Sequence, residues 1–367
     1  MTPRLEWAAL VCTLLLLAAP VRAGDADEAA LRKAVTLYAS FDEAVKADFG
    51  GGELTFSTRF NHPTEKGQFE FKKGMTPDIF RIARGRGIAG GALEATDVLP
   101  RNGRAFFPAK GNLAFKKGGW GGAVSVWVNT DPNKLLKTSF CDPIQITQKG
   151  ANNGGIWFDF NDAKPRDLRM GVFPVVPAGE KGIAESDPAA PMVRVPGVGF
   201  KVGKWHHVAL TWENLDTGKK NAKAILYIDG KSIGVIADRD LAMGWEIDKA
   251  GIYVAVNYIG LLDELALFNR PLTAAEVSLL YRQPALLSTL RKAAPRPPAP
   301  PQFPFDKESA RRYQQAHADW GVLSTLDVNE LCGRCLSNEW QTLAVETDDA
   351  WIPHPSRAPA LSGRARR

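Results

Sequence analysis

Residues 203–231 constrain the fold of this chain more than any other stretch. Within it, the odd-numbered and the even-numbered residues of 205–213 are both mostly apolar. These two sets would lie on opposite faces of a β-strand, so the pattern is typical of a strand packed on both faces. A polar loop follows, and residues 224–228 predict a second strand. Asp229-Gly230 then favours a type I′ turn, because glycine adopts positive φ at low cost. The stretch therefore predicts a strand, a loop and a β-hairpin of an antiparallel sheet.

Short segments with a strand pattern recur along the chain, separated by turn signals. They imply an all-β sandwich or barrel and not a βαβ fold. Residues 61–78 predict a polar surface excursion, and residues 174–201 predict a long loop. Thr273 and Glu276 predict a helix start, because their side chains can form a capping box. The other predicted strands are 35–41, 54–60, 123–128, 145–149, 155–160, 168–173, 251–259 and 261–268.

The N-terminal segment predicts export. Arg4 precedes the apolar run 7–19, and Ala23 offers a small residue before a cleavage site, which together indicate a signal peptide over residues 1–23. The run is shorter than the ~20 residues that a membrane span needs, although an uncleaved anchor is the alternative. The mature protein is expected to be periplasmic, cell-surface or extracellular, and not membrane-spanning.

The C-terminal part of the chain is predicted to be an extension of the main domain. Residues 284–305 are rich in proline and predict a stiff linker, and residues 306–367 predict a small, partly disordered segment. Cys332 and Cys335 form a C-x-x-C, for which a local disulfide is predicted, with a metal site and a redox site as alternatives. The net charge of +6 is small and partly lies in the Arg-rich tail, so nucleic acid is not predicted as a partner.

Three groups of residues resemble the laminin-G-like branch of the concanavalin A-like lectin and glucanase superfamily. They are the Trp205–Lys231 stretch, the opening Ser40-Phe41-Asp42 and the closing Leu262–Arg270 segment. The resemblance covers residues 34–283. It implies an antiparallel jelly-roll β-sandwich over residues 24–283, with the first and last strands lying side by side.

The same resemblance implies a structural calcium site. Asp42 and Asp263 match the positions from which such domains bind Ca²⁺. Because calcium takes six to eight oxygen ligands, carbonyl groups or water would have to complete the shell. The alternative is that Asp42 caps a turn and Asp263 pairs with a cation.

Catalysis is not predicted. Retaining glucanases of the superfamily use Glu-x-Asp-x-x-Glu on one strand, and here Glu246 and Asp248 are followed by Gly251, so the second glutamate is missing. Asp263 and Glu264 are adjacent in a strand and are expected to face opposite ways. The G-x-G-x-x-G at residues 85–90 lacks the strand and helix of a dinucleotide site, so it predicts a tight strand connection.

Aromatic side chains are the usual platforms for sugars. Trp157, Trp245 and Tyr253 are candidate ligand-binding residues by residue type, with packing in the core as the alternative. His206 and His207 should face opposite ways, so His207 is expected to be a packed, hydrogen-bonded side chain. The predicted function is a non-catalytic binding module for a carbohydrate or a cell-surface protein. The alternatives are a structural or envelope-assembly protein and a glycan-active enzyme.

We expect the exported protein to begin at Gly24, because a signal peptidase requires the small side chain that Ala23 supplies. N-terminal sequencing of the secreted or periplasmic fraction measures this directly. A protein that retains Met1 would show that the apolar segment serves as an uncleaved anchor.

Overall fold

The computed structural model describes residues 23–291, 344–347 and 350–353. Residues 1–294 and 295–367 form two separate units. Residues 1–22 of the predicted signal peptide lie outside the described residues, and so do Cys332 and Cys335 of the predicted disulfide. The described cysteine, Cys141, is buried and carries a free thiol.

Strands dominate the described part of the chain. The helices are α1 (Ala23–Ala34), α2 (Pro132–Leu135) and α3 (Ala274–Arg282), and 3₁₀ helices span Ile247–Lys249 and Pro284–Arg291. The strands are β1 (Val35–Ala39), β2 (Phe49–Gly50), β3 (Ser57–Asn61), β4 (Phe69–Lys73), β5 (Phe80–Ile82), β6 (Leu93–Ala95), β7 (Arg104–Pro108), β8 (Trp120–Asn129), β9 (Cys141–Gly150), β10 (Asn153–Phe160), β11 (Leu168–Phe173), β12 (Met192–Val195), β13 (His206–Leu215), β14 (Ala222–Ile228), β15 (Lys231–Arg239), β16 (Gly251–Val256), β17 (Gly260–Phe268), β18 (Ala344–Thr347) and β19 (Ala350–Pro353). Of the helices described, none is long and apolar enough to span a bilayer.

Two antiparallel sheets form the first unit. Sheet A has the strand order β15-β14-β13-β8-β17-β1-β2, and β6 joins it by pairing with β17 and β5. Sheet B has the order β12-β11-β10-β9-β16-β7-β3-β4. In the second unit, β18 and β19 pair with each other. The predicted all-β, antiparallel β-sandwich is confirmed.

The first and last strands of the sandwich lie side by side, as predicted. Tyr38 of β1 is opposite Ala266 of β17, and Ala39 is opposite Leu265. The inward-facing residues of both sheets form the main core, which includes Leu265, Val126 and Ile252. Burial of this apolar surface is the main stabilising contribution to such a fold.

A second core lies on the outer face of sheet A. Helices α1 and α3 pack there, and Leu31, Val277 and Leu280 cover Ala209 and Tyr227 of the sheet. This second core explains why both faces of β13 carry mostly apolar side chains. The predicted capping box starts α3, since the Thr273 side chain accepts the Glu276 N–H and Glu276 reaches back to Thr273.

Three segments predicted to be irregular contain regular structure. The expected polar excursion 61–78 contains the edge strand β4, and the expected loop 174–201 contains the edge strand β12. Edge strands have one partner and little buried surface, so their sequences show a weak strand pattern. The predicted linker 284–305 begins with the 3₁₀ helix Pro284–Arg291, in which Leu286 and Leu287 are buried against the second core.

Strand β13 carries the adjacent histidines toward different neighbours. His207 is fully buried, and its Nε2 lies 2.8 Å from the Ser125 Oγ. His206 instead lies with its Nδ1 2.9 Å from the Asp229 carboxylate, and its ring stacks on Phe200. His207 is thus the packed, hydrogen-bonded side chain that was predicted. No group of three metal-binding side chains occurs among the described residues.

We expect acid to destabilise the domain through His207. Burial lowers the pKa of His207 to about 4 from 6.5, against a smaller raising effect of Asp229. The unfolded chain therefore takes up a proton near pH 6.5 while the folded chain does not, and stability falls as pH drops from about 6.5 toward 4. Between pH 7 and pH 5 this histidine should account for about 2 kcal/mol of lost unfolding free energy.

Urea unfolding of the wild type and of His207→Gln at both pH values measures this contribution. Glutamine keeps a hydrogen-bonding group near Ser125 and does not titrate. The variant should lose less stability than the wild type on acidification, whereas His62→Gln, in the loop before β4, should behave like the wild type. An equal loss in wild type and His207→Gln would refute the assignment.

Candidate functional site

The structure brings the two predicted calcium ligands together. The loop at residues 85–91 connects β5 and β6 and wraps around both aspartates. The Asp263 Oδ2 accepts the Ile88 N–H at 2.7 Å, and the Asp42 Oδ1 accepts the Gly91 N–H at 2.6 Å. Asp42 and Asp263, which are distant in sequence, thus share one glycine-rich loop.

Two glycines allow this close approach. A Cβ on Gly90, which has a φ of 97°, would lie 2.3 Å from the Asp42 Oδ1, and a Cβ on Gly87 would lie 2.6 Å from the Asp263 Oδ2. Such contacts are too short for any other residue. The G-x-G-x-x-G string is therefore a tight connection between strands, as predicted, and its glycines admit two carboxylates.

Two acidic side chains meet at this loop. Burial is the main reason that the pKa of the Asp263 carboxyl is raised to about 8; the Asp42 carboxylate acts in the same direction, and three backbone N–H groups act against both. Asp263 is fully buried and its hydrogen bonds come from the backbone. Carboxylate oxygens with backbone carbonyls nearby are the donor set that Ca²⁺ prefers, so the residues present fit that ion.

The strand that carries Asp263 does not alternate strictly. Glu264 has a φ of 50°, and the register of β17 against β8 shifts between Asp263 and Ala266. Two acids therefore lie between the core residues Leu262 and Leu265. The prediction that Asp263 and Glu264 face opposite ways assumed an unbroken strand, and the bulge invalidates that assumption. Glu264 accepts a hydrogen bond from Tyr38 at 2.7 Å.

A second region of interest is the outer face of sheet B, the face turned away from the main core. Its β10–β12 half is covered by the segment between β11 and β12. Glu185 of that segment accepts hydrogen bonds from Arg169 and Asn152. Arg169 also pairs with Asp159, and both are buried. This half of the face is closed to large ligands.

Burial dominates the electrostatics of the covered half. It raises the pKa of Asp159 to about 6, although Arg169 acts in the opposite direction. Burial also raises the pKa of Asp142 well above its ordinary value, with Asp159 as the second cause. The Asp142 Oδ1 has no hydrogen-bond partner. These acids lie beneath the covering segment.

The β3–β4–β7 half of the same face is open. We call it the aromatic–arginine surface. Phe71 is 63% exposed and Phe69 is 44% exposed, which is unusual for rings on a sheet face. The surface consists of Arg59, Phe69, Phe71, Arg104, Phe106 and Tyr253, which adjacent strands place on one face through the pairs Arg59↔Phe71, Arg59↔Arg104 and Tyr253↔Phe106.

The rings of this surface form a continuous row. The centroids of Phe71 and Phe106 are 6.4 Å apart, and those of Phe106 and Tyr253 are 5.1 Å apart. The Arg59 guanidinium lies 4.3 Å from the Phe69 centroid and 5.6 Å from that of Tyr253. The row combines apolar ring faces with several N–H donors.

The three aromatic residues predicted to bind ligand differ in position. Trp245 is 1% exposed and packs against Phe115 and Trp120 within the core. Trp157 is also 1% exposed and stacks on Phe173 in the covered half. Neither offers a ring face at the surface, which favours the alternative of core packing. Tyr253 belongs to the aromatic–arginine surface, although other side chains cover most of it.

The acids that resemble a glucanase strand do not lie in a strand. Glu246 precedes the 3₁₀ helix Ile247–Lys249, and Asp248 lies within it. Both carboxylates are exposed and form ion pairs with lysines, Glu246 with Lys249 and Asp248 with Lys110. They do not face each other across a cleft.

Sequence reasoning missed most of the aromatic–arginine surface. Phe69 and Phe71 lie in the segment that was predicted to be a polar excursion, and β7, which carries Arg104 and Phe106, was not predicted. The spacing of two between Phe69 and Phe71 was the available signal, since it places both rings on one face of a strand.

Several solved structures share features of this fold. Domain 4 of AbnA, a GH43 extracellular arabinanase from Geobacillus stearothermophilus, was solved with arabinotriose; it is 18% identical, with a TM-score of 0.41, over 68% of this chain and 99% of that one. Trypanosoma rangeli sialidase is 12% identical, with a TM-score of 0.42, over 70% of this chain and 33% of that one. The ligand-binding domain of botulinum neurotoxin serotype D, solved with N-acetylneuraminic acid, is 12% identical, with a TM-score of 0.41, over 70% of this chain and 52% of that one.

Similarity at this low level of identity and TM-score does not indicate which ligand the present chain binds. Among curated proteins, none matches the sequence. A family model does match residues 107–278, from β7 into α3. The matched region contains most strands of both sheets and the closing Asp263-Glu264 motif. Residues 107–278 are therefore similar to the family described as the concanavalin A-like lectin/glucanases superfamily.

Proposed function

We propose that this protein is an exported, non-catalytic binding module for a carbohydrate, and that the aromatic–arginine surface is its contact face. The observation that carries the proposal is the exposure of Phe69 and Phe71 on a sheet face. A pyranose ring has an apolar C–H face and a rim of hydroxyl groups. It therefore fits a surface where apolar rings lie beside N–H donors and a few fixed polar groups.

The geometry of the surface supports a chain-like ligand. Phe71 of β4 and Phe106 of β7 follow one another, and the buried ring of Tyr253 on β16 packs against Phe106, so a ligand can run across the strands over the first two rings. The rings are held by a sheet and by each other, and little conformational entropy is lost when a ligand binds to such a rigid platform. Export, inferred from Arg4 and the apolar run that follows, would bring this surface to extracellular or periplasmic glycans.

The proposal of a non-catalytic role has separate support. Glycoside hydrolysis by two carboxylates requires the pair to flank one bond, about 5–10 Å apart. Glu246 and Asp248 are paired with lysines at the surface. Asp142 and Asp159 are buried beneath the covering segment, where a polysaccharide does not reach them. None of the six side chains of the aromatic–arginine surface is an acid.

We also propose that Ca²⁺ binds between Asp42 and Asp263 and stabilises the domain. The proposal rests on two carboxylates that the loop at residues 85–91 brings together. Asp42 and Asp263 would supply charged oxygens, and carbonyl groups or water would complete the shell. The ion would stabilise the ionised form of Asp263, which burial disfavours, at the seam between β1, β6 and β17.

Replacement of Phe71 by alanine should weaken binding to a glycan array or an immobilised polysaccharide by about tenfold, the effect expected from losing one stacked ring. Folding should not change, because the ring is largely exposed. Val235→Ala on β15, a half-exposed apolar side chain of sheet A, is the matched control. If no glycan binds, or if Phe71→Ala and Val235→Ala bind like the wild type, the proposal is wrong.

Calcium should raise the melting temperature relative to a chelator. At a free concentration of about 100 times Kd the gain in stability is about 2.7 kcal/mol, which corresponds to about 5–10 °C for a domain of this size. Asp42→Asn and Asp263→Asn should abolish the shift, and Asp248→Asn, which changes an exposed acid outside the site, should retain it. Identical melting curves of the wild type with CaCl₂ and with EDTA would exclude the ion.

A further inference from the structure

Two arginines of the aromatic–arginine surface face each other. Arg59 on β3 is directly opposite Arg104 on β7 in the register of sheet B. Like charges at directly opposed positions of an antiparallel pair are unfavourable. Such a pair is retained at a cost to stability unless another group supplies negative charge.

Neither arginine forms an ion pair within the described part of the chain. Two other arginines of the domain, Arg101 and Arg169, do form such pairs, with Glu70 and Asp159 respectively. Arg104 donates one hydrogen bond to the Gln145 Oε1 at 3.3 Å. The other N–H groups of the two guanidinium ions are therefore available to a bound anion.

The surroundings hold Arg59 in position and reduce its hydration. The guanidinium lies against the rings of Phe69 and Tyr253. Burial lowers the pKa of Arg59, and the charge of Arg104 lowers it further, against the opposing effect of Tyr253. A charged group that is partly dehydrated in this way interacts more strongly with an added counter-charge than an exposed one does.

The nearest buried acid is a poor source of that counter-charge. Arg104 and Asp142 interact electrostatically, but burial raises the pKa of Asp142 well above its ordinary value. Asp142 belongs to the covered half, and Arg104 to the open half. The unbalanced positive charge therefore lies at the open surface, beside the exposed ring of Phe71.

We propose that Arg59 and Arg104 bind the carboxylate of an acidic glycan, such as a uronate polymer, that lies across Phe71 and Phe106. The proposal rests on the proposed function and specifies its ligand class. The ring row would bind the apolar faces of the sugar, and the two guanidinium groups would bind its carboxylate. A planar guanidinium binds a carboxylate through two parallel, charge-assisted N–H···O bonds.

Matched pairs of glycans test the proposal. Polygalacturonate, alginate and hyaluronate are immobilised together with their carboxyl-reduced, neutral forms, and dextran sulfate serves as the sulfated probe. The wild-type protein should bind at least one uronate glycan about tenfold or more tightly than its reduced form, since charge-assisted hydrogen bonds supply this discrimination. The preference should decrease as salt increases.

Variants assign the preference to the two arginines. Arg59→Gln and Arg104→Gln should each reduce binding of the uronate form, and the double variant should bind both forms equally. Phe71→Ala should weaken binding of both forms. Arg282→Gln, which removes the same charge at the end of α3, should bind like the wild type. Each arginine variant removes one of two opposed like charges, so its melting temperature should be unchanged or higher. Such a melting temperature would exclude misfolding as the cause of the weaker binding.

Each other outcome has a defined meaning. Equal binding of charged and neutral forms by the wild type would overturn the carboxylate proposal and leave glycan binding intact. Tighter binding of dextran sulfate than of every uronate glycan would overturn it as well. A preference that survives in the double variant would place the anion elsewhere. Absence of binding to all glycans, on this panel and on an array, would overturn the proposed function and this proposal together.

Discussion

The structure depends on strand β17, because it joins the two ends of the domain. It pairs with β8 on one side and with the first strand, β1, on the other, and it also pairs with β6. Each of these pairings brings together segments that are far apart in sequence. The loop-closure entropy that these pairings cost is offset by the core that they seal.

The bulge in β17 has a consequence for charge. A regular strand between Leu262 and Leu265 would turn one of the two intervening acids toward the apolar core, where an ionised carboxyl is costly. The left-handed φ of Glu264 adds a residue to the outer side. Glu264 then accepts the Tyr38 hydroxyl, and Asp263 accepts backbone N–H groups from the loop at residues 85–91. The sheet seam thus carries negative charge without disrupting the core.

Sequence patterns predicted most long strands of both sheets but missed β4 and β12 at the edges of sheet B and β7 within it. β13 has neighbours on both sides and on both faces, so each position is constrained and the alternation is clear. β4 pairs only with β3, and its Phe-Glu-Phe-Lys-Lys sequence resembles a polar loop. The aromatic–arginine surface includes residues from this edge strand. Strands are predicted from the alternation of apolar and polar residues, and residues that form a surface instead of a core do not show this alternation.

Asp42 and Asp263 were found from a family resemblance, whereas the residues of the open face depend on cross-strand register. Register joins Arg59 to Arg104 and Phe106 to Tyr253, and neither pair is visible from spacing along the chain. Residue type likewise pointed to Trp157 and Trp245, which are buried, because large rings fill a core as readily as they bind a ligand.

The two halves of the outer face of sheet B differ in whether their arginines are paired with carboxylates of the protein. In the covered half, Arg169 is matched by Asp159 and Glu185 within the protein. The same sheet therefore accommodates acids beside arginines where a balanced, closed surface forms. In the open half, two arginines are opposed across strands, partly buried, and matched by no carboxylate of the described chain. The repulsion between these two charges lowers the stability of the fold, although each arginine also makes stabilising contacts within the protein. An anion supplied by a ligand would balance both charges beside the exposed rings.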